Sequence, residues 1–517
     1  MKFIQGKDRT QSHLFPVCLD QSIDQDSDVR LIDLFVDSLN LADYGFKTHF
    51  VENGRPAYHP ADLLKLYIYG YLNKTRSSRD LEKACKVNIE VMWLLSELKP
   101  DHNTINNFRR DNPKAIKNVF RATVNLAKHF NLIGGKLIAG DSTKLRAQNS
   151  KKNNFNPKKV ERHIAYIDHK LAQYNQAMAM ADGDEKQQIQ QEIKKHINRK
   201  DGYKKIDEQL TKSGQTQIST SDPDSRNLML RNNICEVAYS AQTTVDAKHN
   251  LLIDYKLTNT NDTKAMGPML SRAVAILGSN TFTALYDKGY YDGPMLKQAD
   301  DLGVNAIVAI RGLASTSRAP DTRYNVQHFT YNATTDSYTC PQGELLKTNG
   351  RWYQNFNARF KQYKTKACQG CKARSLCTTA KNGKLISRSE YNPYYEQNHK
   401  RVEQNKQLYK RRQAIVEHPF GTIKRQWGFS YISTKKGMQK ASADVGLMFT
   451  AYNLRRIINI IGKDALTKYL EVLASFLATI LAVCTSILSP FNAFRFYKNL
   501  LPDFSLNSHK RLIFTLN

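Results

Sequence analysis

Apolar residues recur at intervals of three and four over residues 31–132, the spacing of amphipathic helices. Pro60 opens one run, in which Leu63, Leu64, Tyr67, Ile68 and Tyr71 share a stripe. Ser77-Ser78-Arg79-Asp80-Leu81-Glu82 predicts a second helix, with a Ser cap and acid in its first turn. Asp101-His102-Asn103-Thr104-Ile105 opens a third, which carries Phe108-Arg109-Arg110. Short helices with polar breaks suit a helix-turn-helix-like module and equally any small helical bundle. The period then changes. Lys136-Leu137-Ile138-Ala139-Gly140-Asp141 predicts a short buried strand ending on an acid. Residues 149–214 are polar and helical, with Ile164, Ile167, Leu171 and Tyr174 on one stripe and Ile189, Ile193 and Ile197 on another. Asp182-Gly183-Asp184 separates the two, so a helical hairpin is expected, inserted into a sheet domain. Alternation over 241–246 and 251–255 predicts two strands joined by Ala247-Lys248-His249-Asn250. A helix over 263–277, a strand over 282–286 ending at Asp287, and a strand over 304–310 follow.

Residues 472–494 carry no charge and are long enough to span a bilayer. Ser475, Thr479, Thr485, Ser486, Ser489, Pro490 and Asn492 interrupt them, so a buried helix ending near Pro490 is the expectation and a membrane span is disfavoured. Charge changes the picture more. The 77 Lys and Arg exceed 47 acids, a net charge of +30 whose self-repulsion points to a polyanionic partner. Residues 361–440 hold 19 Lys or Arg against four Glu (Glu390, Glu396, Glu403 and Glu417), a local excess of +15 and half of the total. Tyr363, Tyr391, Tyr394, Tyr395, Tyr409 and Trp427 interleave with those cations, which favours nucleic acid over a solvated basic surface. Residues 1–11 are polar and show no secretory signal, and eight cysteines in 517 residues make no disulfide scaffold. A cytoplasmic, nucleoid-associated location is the expectation.

Asp141 and Asp287 share a local grammar: an apolar strand ends in an acid that a turn or polar segment follows. Strand ends in an α/β sheet converge on one edge, where hard carboxylate oxygens can share Mg²⁺. Each acid also has a plainer reading, Asp141 as a turn cap and Asp287-Lys288-Gly289 as a loop. The third element is Glu417, seven residues before Lys424. On a continuous helix that is about two turns, placing a metal-ligating carboxylate and a phosphate-binding cation on one side. Pro419 argues against a regular helix there unless a new turn starts near Glu417.

Between residues 55 and 461 the chain resembles the DDE transposases of bacterial insertion sequences. Tyr58-His59-Pro60, Tyr69-Gly70-Tyr71, Arg76-Ser77-Ser78-Arg79, Pro100-Asp101-His102-Asn103-Thr104-Ile105 and Phe108-Arg109 are similar to that family's N-terminal region. Ser221-Asp222-Pro223-Asp224-Ser225-Arg226, Asp287-Lys288-Gly289-Tyr290-Tyr291 and Val416-Glu417-His418-Pro419-Phe420-Gly421-Thr422-Ile423-Lys424 are similar to its catalytic region. The resemblance implies a ribonuclease H-like catalytic core with Asp141, Asp287 and Glu417 as the DDE acids, binding two Mg²⁺ or Mn²⁺ ions. It implies cleavage and strand transfer on double-stranded DNA at element ends and on target DNA, by a homodimer or higher oligomer. The related Tyr-Arg-Glu-Lys signature is matched in part: Gln413 stands where Arg is expected, and Arg412 precedes it. Arg412, Lys424 and Lys288 are the candidate phosphate contacts.

Cys340, Cys368, Cys371 and Cys377 form C-x27-C-x2-C-x5-C, a spacing that suits tetrahedral Zn²⁺ and also unliganded reduced thiols. The expected architecture is α+β. A helical DNA-binding domain (1–132) precedes a ribonuclease H-like mixed-sheet core (133–312, with the helical insertion at about 150–220). A basic Cys-rich insertion (313–400), the part of the core carrying the Glu (401–461) and an apolar tail (462–517) follow. Two rivals share these residues: a nuclease of the same fold that cleaves without joining, and a zinc-containing DNA-binding protein that represses without cutting.

Overall fold

The computed structural model describes residues 18–48, 56–230, 234–312, 318–355, 358–433 and 436–487. The polar segment 1–11, Lys435 and the apolar residues 488–494 lie outside them. The chain divides into two units, one of residues 1–134, 142–260 and 417–517, the other of 135–141 and 261–416.

The first unit opens with α1 (Asp28–Asp37), α2 (Pro60–Leu72), α3 (Ser78–Val87), α4 (Ile89–Leu94), α5 (His102–Asp111) and α6 (Pro113–His129). The predicted starts hold: Ser77 caps α3, Asp101 caps α5, and Pro60 occupies the first turn of α2 behind His59. Strand β1 (Leu137–Arg146) does not end at Asp141 as its apolar run suggests. Thr143 and Leu145 continue the inward alternation, and the Ala147 N–H donates to the Val237 carbonyl, so pairing carries the polar half. Next come β2 (Asn154–Phe155), α7 (Pro157–Met178), α8 (Gly183–Ser213) and β3 (Ile218–Ser219), the expected hairpin, with Gly183 in the left-handed region between its helices. β4 (Arg226–Met229), β5 (Cys235–Asp246) and β6 (Leu252–Thr258) pair antiparallel.

In the second unit, α9 (Met266–Leu277), β7 (Thr283–Tyr286), α10 (Gly293–Asp301) and β8 (Asn305–Val308) alternate. The first half of β1 pairs in parallel with β7, and β7 in parallel with β8. A separate antiparallel sheet follows: β9 (Thr330–Asn332), β10 (Ser337–Thr339), β11 (Leu345–Thr348), β12 (Tyr353–Gln354) and β13 (Arg359–Lys364), then helix α11 (Arg374–Cys377) and strand β14 (Ile386–Ser389). Phe329, Tyr338, Leu346, Tyr363 and Ile386 form its core. α12 (Asn392–Gln404) leads into α13 (Lys406–Phe420), which passes into the first unit.

Helix α13 does not restart near Glu417. It runs through Pro419 and continues as a π-helix over Gly421–Gln426. Proline offers no N–H and its ring crowds the carbonyl a turn earlier, and the wide turns come just after it, where the Trp427 N–H donates to the Thr422 carbonyl. α14 (Met438–Ile461) is, like α2, a largely buried helix of the first unit, and its Asn453 bonds both the N–H and the carbonyl of Leu252 and the Thr123 hydroxyl. α15 (Lys463–Ile487) confirms a helix in the apolar tail but corrects its burial. Leu466 and Leu470 pack inward, whereas Val472 is 71% and Phe476 43% exposed, because the described residues cover only one stripe of the helix. Among the described residues no helix is long and apolar enough to cross a membrane.

Candidate active site

Register places the two aspartates of the second unit. Ala139 of β1 pairs with Leu285 of β7, and Asp141 and Asp287 each lie two residues beyond that pair. Parallel strands run in the same direction, so both acids stand at the same level, Asp141 midway along β1 and Asp287 just past the end of β7. Gly140 is required there, since a β-carbon would lie 2.0 Å from the Tyr286 ring. Asp287 caps its own loop, accepting from the Gly289 N–H at 2.7 Å, so the plain-loop geometry and a candidate ligand position coincide. Arg311 braces this loop by donating to the carbonyls of Lys288 at 2.8 Å and Gly289 at 2.9 Å. Lys288 itself is exposed.

α13 approaches from the other direction in sequence. Arg412 Nη1 donates to Asp141 Oδ2 at 3.0 Å, and the Tyr409 hydroxyl donates to the Tyr286 carbonyl at 3.1 Å. Burial works against the Arg412 charge, but Asp141, with Tyr409 and Asp287 behind it, outweighs burial and raises its pKa. The buried Tyr290 hydroxyl is pushed well up, first by burial and then by Asp262, Asp141 and Asp287. It therefore stays neutral. Tyr290, Asp262 and Arg311 were not singled out from the sequence. Arg311 follows the end of β8, and the rule that ligands gather at the carboxyl ends of parallel strands could have found it. Asp262 offers no such signal, because its neighbours Asn261 and Thr263 read as an ordinary polar turn.

Glu417 lies on the same helix as Arg412, four residues after Gln413 and eight after Tyr409, so Tyr409, Gln413 and Glu417 line one helical face. Glu417 is exposed and belongs to the first unit. Lys424 falls on the π-helix, where wider turns shift the face expected from regular helical spacing. Its ammonium donates to the Lys144 carbonyl of β1 at 2.9 Å.

The motifs carrying the N-terminal resemblance build a buried charge network in the first unit. Asp444 of α14 accepts from the Tyr71 hydroxyl, from Arg76 at 3.4 Å, from Arg109 at 3.5 Å and from the Ser433 N–H at 2.7 Å. Arg76 also donates to the Tyr431 carbonyl and lies over the rings of Phe429 and Tyr431. The segment 222–226 has a similar role. Asp222 accepts from Tyr239 and the Gly437 N–H, and Asp224 from the Met438 N–H, so the two aspartates cap α14.

In the second unit Cys340, Cys368, Cys371 and Cys377 line one pocket with Phe329, Leu346 and Lys384. Burial pushes the Cys377 thiol up, Lys384 opposes it, and the other three thiols add to it. Among the described residues no group of three or more His, Cys, Asp or Glu is placed as a ready metal site. Two carboxylates at one level of neighbouring strands nevertheless suit a hard divalent cation, which takes one or two carboxylates and leaves its other positions to water and phosphate.

Comparison with known proteins gives two domain matches. Residues 17–111 match a transposase domain (DUF772), and residues 339–458 match a transposase DDE domain. No curated protein matches the chain. A cryo-EM structure of the piggyBac transposase synaptic complex with hairpin DNA aligns over 93% of this chain and 86% of that one. At 9% identity and a TM-score of 0.28, that likeness supports nothing about this chain. The two domain matches cover both the helices around Arg76 and Arg109 and the helix bearing Arg412 and Glu417, so the chain carries a transposase domain and a transposase DDE domain.

Proposed function

We propose that the protein is the transposase of a bacterial insertion sequence, which binds the element's double-stranded ends, cleaves them and joins the freed 3′-hydroxyl to target DNA. The observation that carries this reading is the register of β1 and β7, which sets Asp141 and Asp287 side by side with Arg412 on the first of them. Asp141, Asp287 and Glu417 would hold two Mg²⁺ or Mn²⁺ ions in a ribonuclease H-like core, and such ions activate the attacking hydroxyl and stabilise the leaving oxygen. Arg412 balances the charge of Asp141 and offers a planar fork for a phosphate. Lys288, exposed at the Asp287 loop, and Lys424 contribute positive charge for the phosphates flanking the scissile one. Strand transfer requires paired ends, so a homodimer or higher oligomer on DNA is part of the proposal. The helices within 1–132 and the basic segment 361–440 supply DNA affinity, and the enzyme works in the cytoplasm on nucleoid DNA. Incubating purified protein with its element's ends and Mg²⁺, then sizing the products on a denaturing gel, tests the reading. Nicked ends and longer joined products are expected, whereas cleavage without joined products would favour the nuclease reading.

Lys424→Ala is expected to lower single-turnover cleavage about tenfold or more while changing affinity about twofold or less, because positioning acts on the chemical step. Removing Lys436 or Lys440 should instead lower the salt slope of binding by about one unit for each phosphate left unneutralised. A Lys424→Ala enzyme that cleaves at the parental rate when saturated would refute this assignment.

The four thiols of the antiparallel sheet form a soft donor set, and about one structural Zn²⁺ per chain is expected there. Cys371→Ser should lose the metal and lower the melting temperature of the insertion. Elemental analysis finding no zinc, with all four thiols freely titratable, would sink the zinc reading.

A further inference from the structure

The α7–α8 hairpin is polarised along its length. Residues 171–193 at its tip hold one Lys against four acids, an excess of −3. Residues 151–170 and 194–213 at its base hold 13 Lys or Arg against five acids, an excess of +8. The base is also where the hairpin has a core of its own. Phe155, Val160 and Leu210 are buried together, and β2 pairs with β3 across the two ends of the insertion. The His163 and Tyr203 rings stack at 4.8 Å with planes 5° apart, which fixes α7 against α8. Arg162 adjoins His163, and Arg199 lies one turn before Tyr203. Two cations from different helices thus flank one aromatic pair. Their field, with that of Lys159, adds to burial in lowering the pKa of His163.

Some of the charge is used internally. Lys200 pairs with Asp168 and Lys195 with Glu192. Lys159 donates to the carbonyls of Lys151, Lys152 and Asn154. Lys158, Arg162, Arg199, Lys204 and Lys205 are exposed, and among the described residues no carboxylate pairs with them. Like charges gathered on a rigid, separately cored base repel one another, and a surface that keeps them is matched to an external polyanion. Cations clustered on stiff helices suit a phosphate backbone, whose charge they neutralise whatever the base sequence.

We infer that the base of the α7–α8 hairpin is a second DNA-contact surface, separate from the basic segment 361–440, which grips the phosphates of duplex DNA through Arg162, Arg199, Lys204 and Lys205. This rests on the DNA-binding reading above and adds a surface to it. The test uses the full chain, a 40-base-pair duplex as probe, and affinity measured across a range of KCl concentrations. A triple variant, Arg162→Gln with Arg199→Gln and Lys204→Gln, should bind about tenfold or more weakly near physiological salt. Its salt slope should fall by about two to three units, close to 0.9 for each phosphate no longer neutralised. Arg162→Lys with Arg199→Lys should keep the parental slope, because charge and not guanidinium shape carries the interaction. The tip variant Lys186→Gln should match the parent. All substituted side chains are exposed, and circular dichroism melting checks that each variant folds as the parent does. A parent that binds duplex beside a triple variant of equal affinity and slope overturns the hairpin assignment alone. A parent that binds no duplex overturns the DNA-binding reading and the hairpin assignment with it. Lost binding of an acidic protein partner, with duplex binding intact, assigns the surface to protein and overturns the inference.

Discussion

Replacing Asp141, Asp287 or Glu417 by Ala is expected to lower single-turnover cleavage of element ends about a thousandfold or more. With these acids holding the ions as proposed, each replacement would take away stabilisation of both the attacking and the leaving oxygen, and about 4 kcal/mol of barrier corresponds to that factor. Affinity for the ends should change about threefold or less, because it derives from Lys and Arg on phosphates. Asp141→Ala has a second consequence, since Arg412 loses its carboxylate partner at 3.0 Å. Asp141→Asn separates the two effects. An amide can still accept from Arg412 but brings no charge to an ion, so cleavage should remain lost. Glu417 bears on the rivals as well, because it shares a helix with Arg412 and occupies the DDE domain match. Full cleavage by any one of the Ala variants would remove that acid from the site. A chain that binds the ends without cutting them, in parent and variants alike, would favour the repressor reading.

Asp444→Ala is expected to be the most destabilising single change in the first unit, by about 3–5 kcal/mol, the usual effect of removing one member of a buried ion pair. Asp444 is fully buried, and Arg76 and Arg109 beside it are nearly so. Without the carboxylate two guanidinium groups would remain in a low-dielectric interior with few acceptors, chiefly the Tyr431 carbonyl, the Tyr71 hydroxyl and the Arg76 carbonyl. The network joins α2, α5 and the segment before α14, so its loss should lower the first transition in urea. Asp444→Asn keeps acceptor capacity and should fall between the parent and Asp444→Ala. An Asp444→Ala protein within about 1 kcal/mol of the parent would show that the network is dispensable.

Local chemistry made much of the fold legible. Caps at Ser77 and Asp101, the break at residues 182–184 and the alternation before Asp246 act within a few residues of where they appear, so helices and strands followed from them. The same holds for Asp141 and Asp287, whose candidacy came from apolar strands meeting an acid and was strengthened by motif order. Pro419 shows where local reading stops. Its missing N–H is a local fact, but whether a helix breaks or widens depends on what holds the turns on either side. The sheet-extending half of β1 was likewise hidden, because its inward Thr143 and Leu145 alternate with Ser142 and Lys144 and become a strand only through pairing.

By itself, then, the sequence determined many of the element types, set by period and capping, and it named candidate acids, four clustered thiols and a charge excess suited to a polyanion. Tertiary structure decided which groups meet. It brought Arg412 to Asp141 across 271 positions and Arg76 and Arg109 to Asp444 across 368 and 335. It also put Val472 and Phe476 of an apolar helix on the exposed side. The physical reason is range: propensity and capping act over one or two turns, whereas a buried charge accepts whichever partner the packed chain delivers to it.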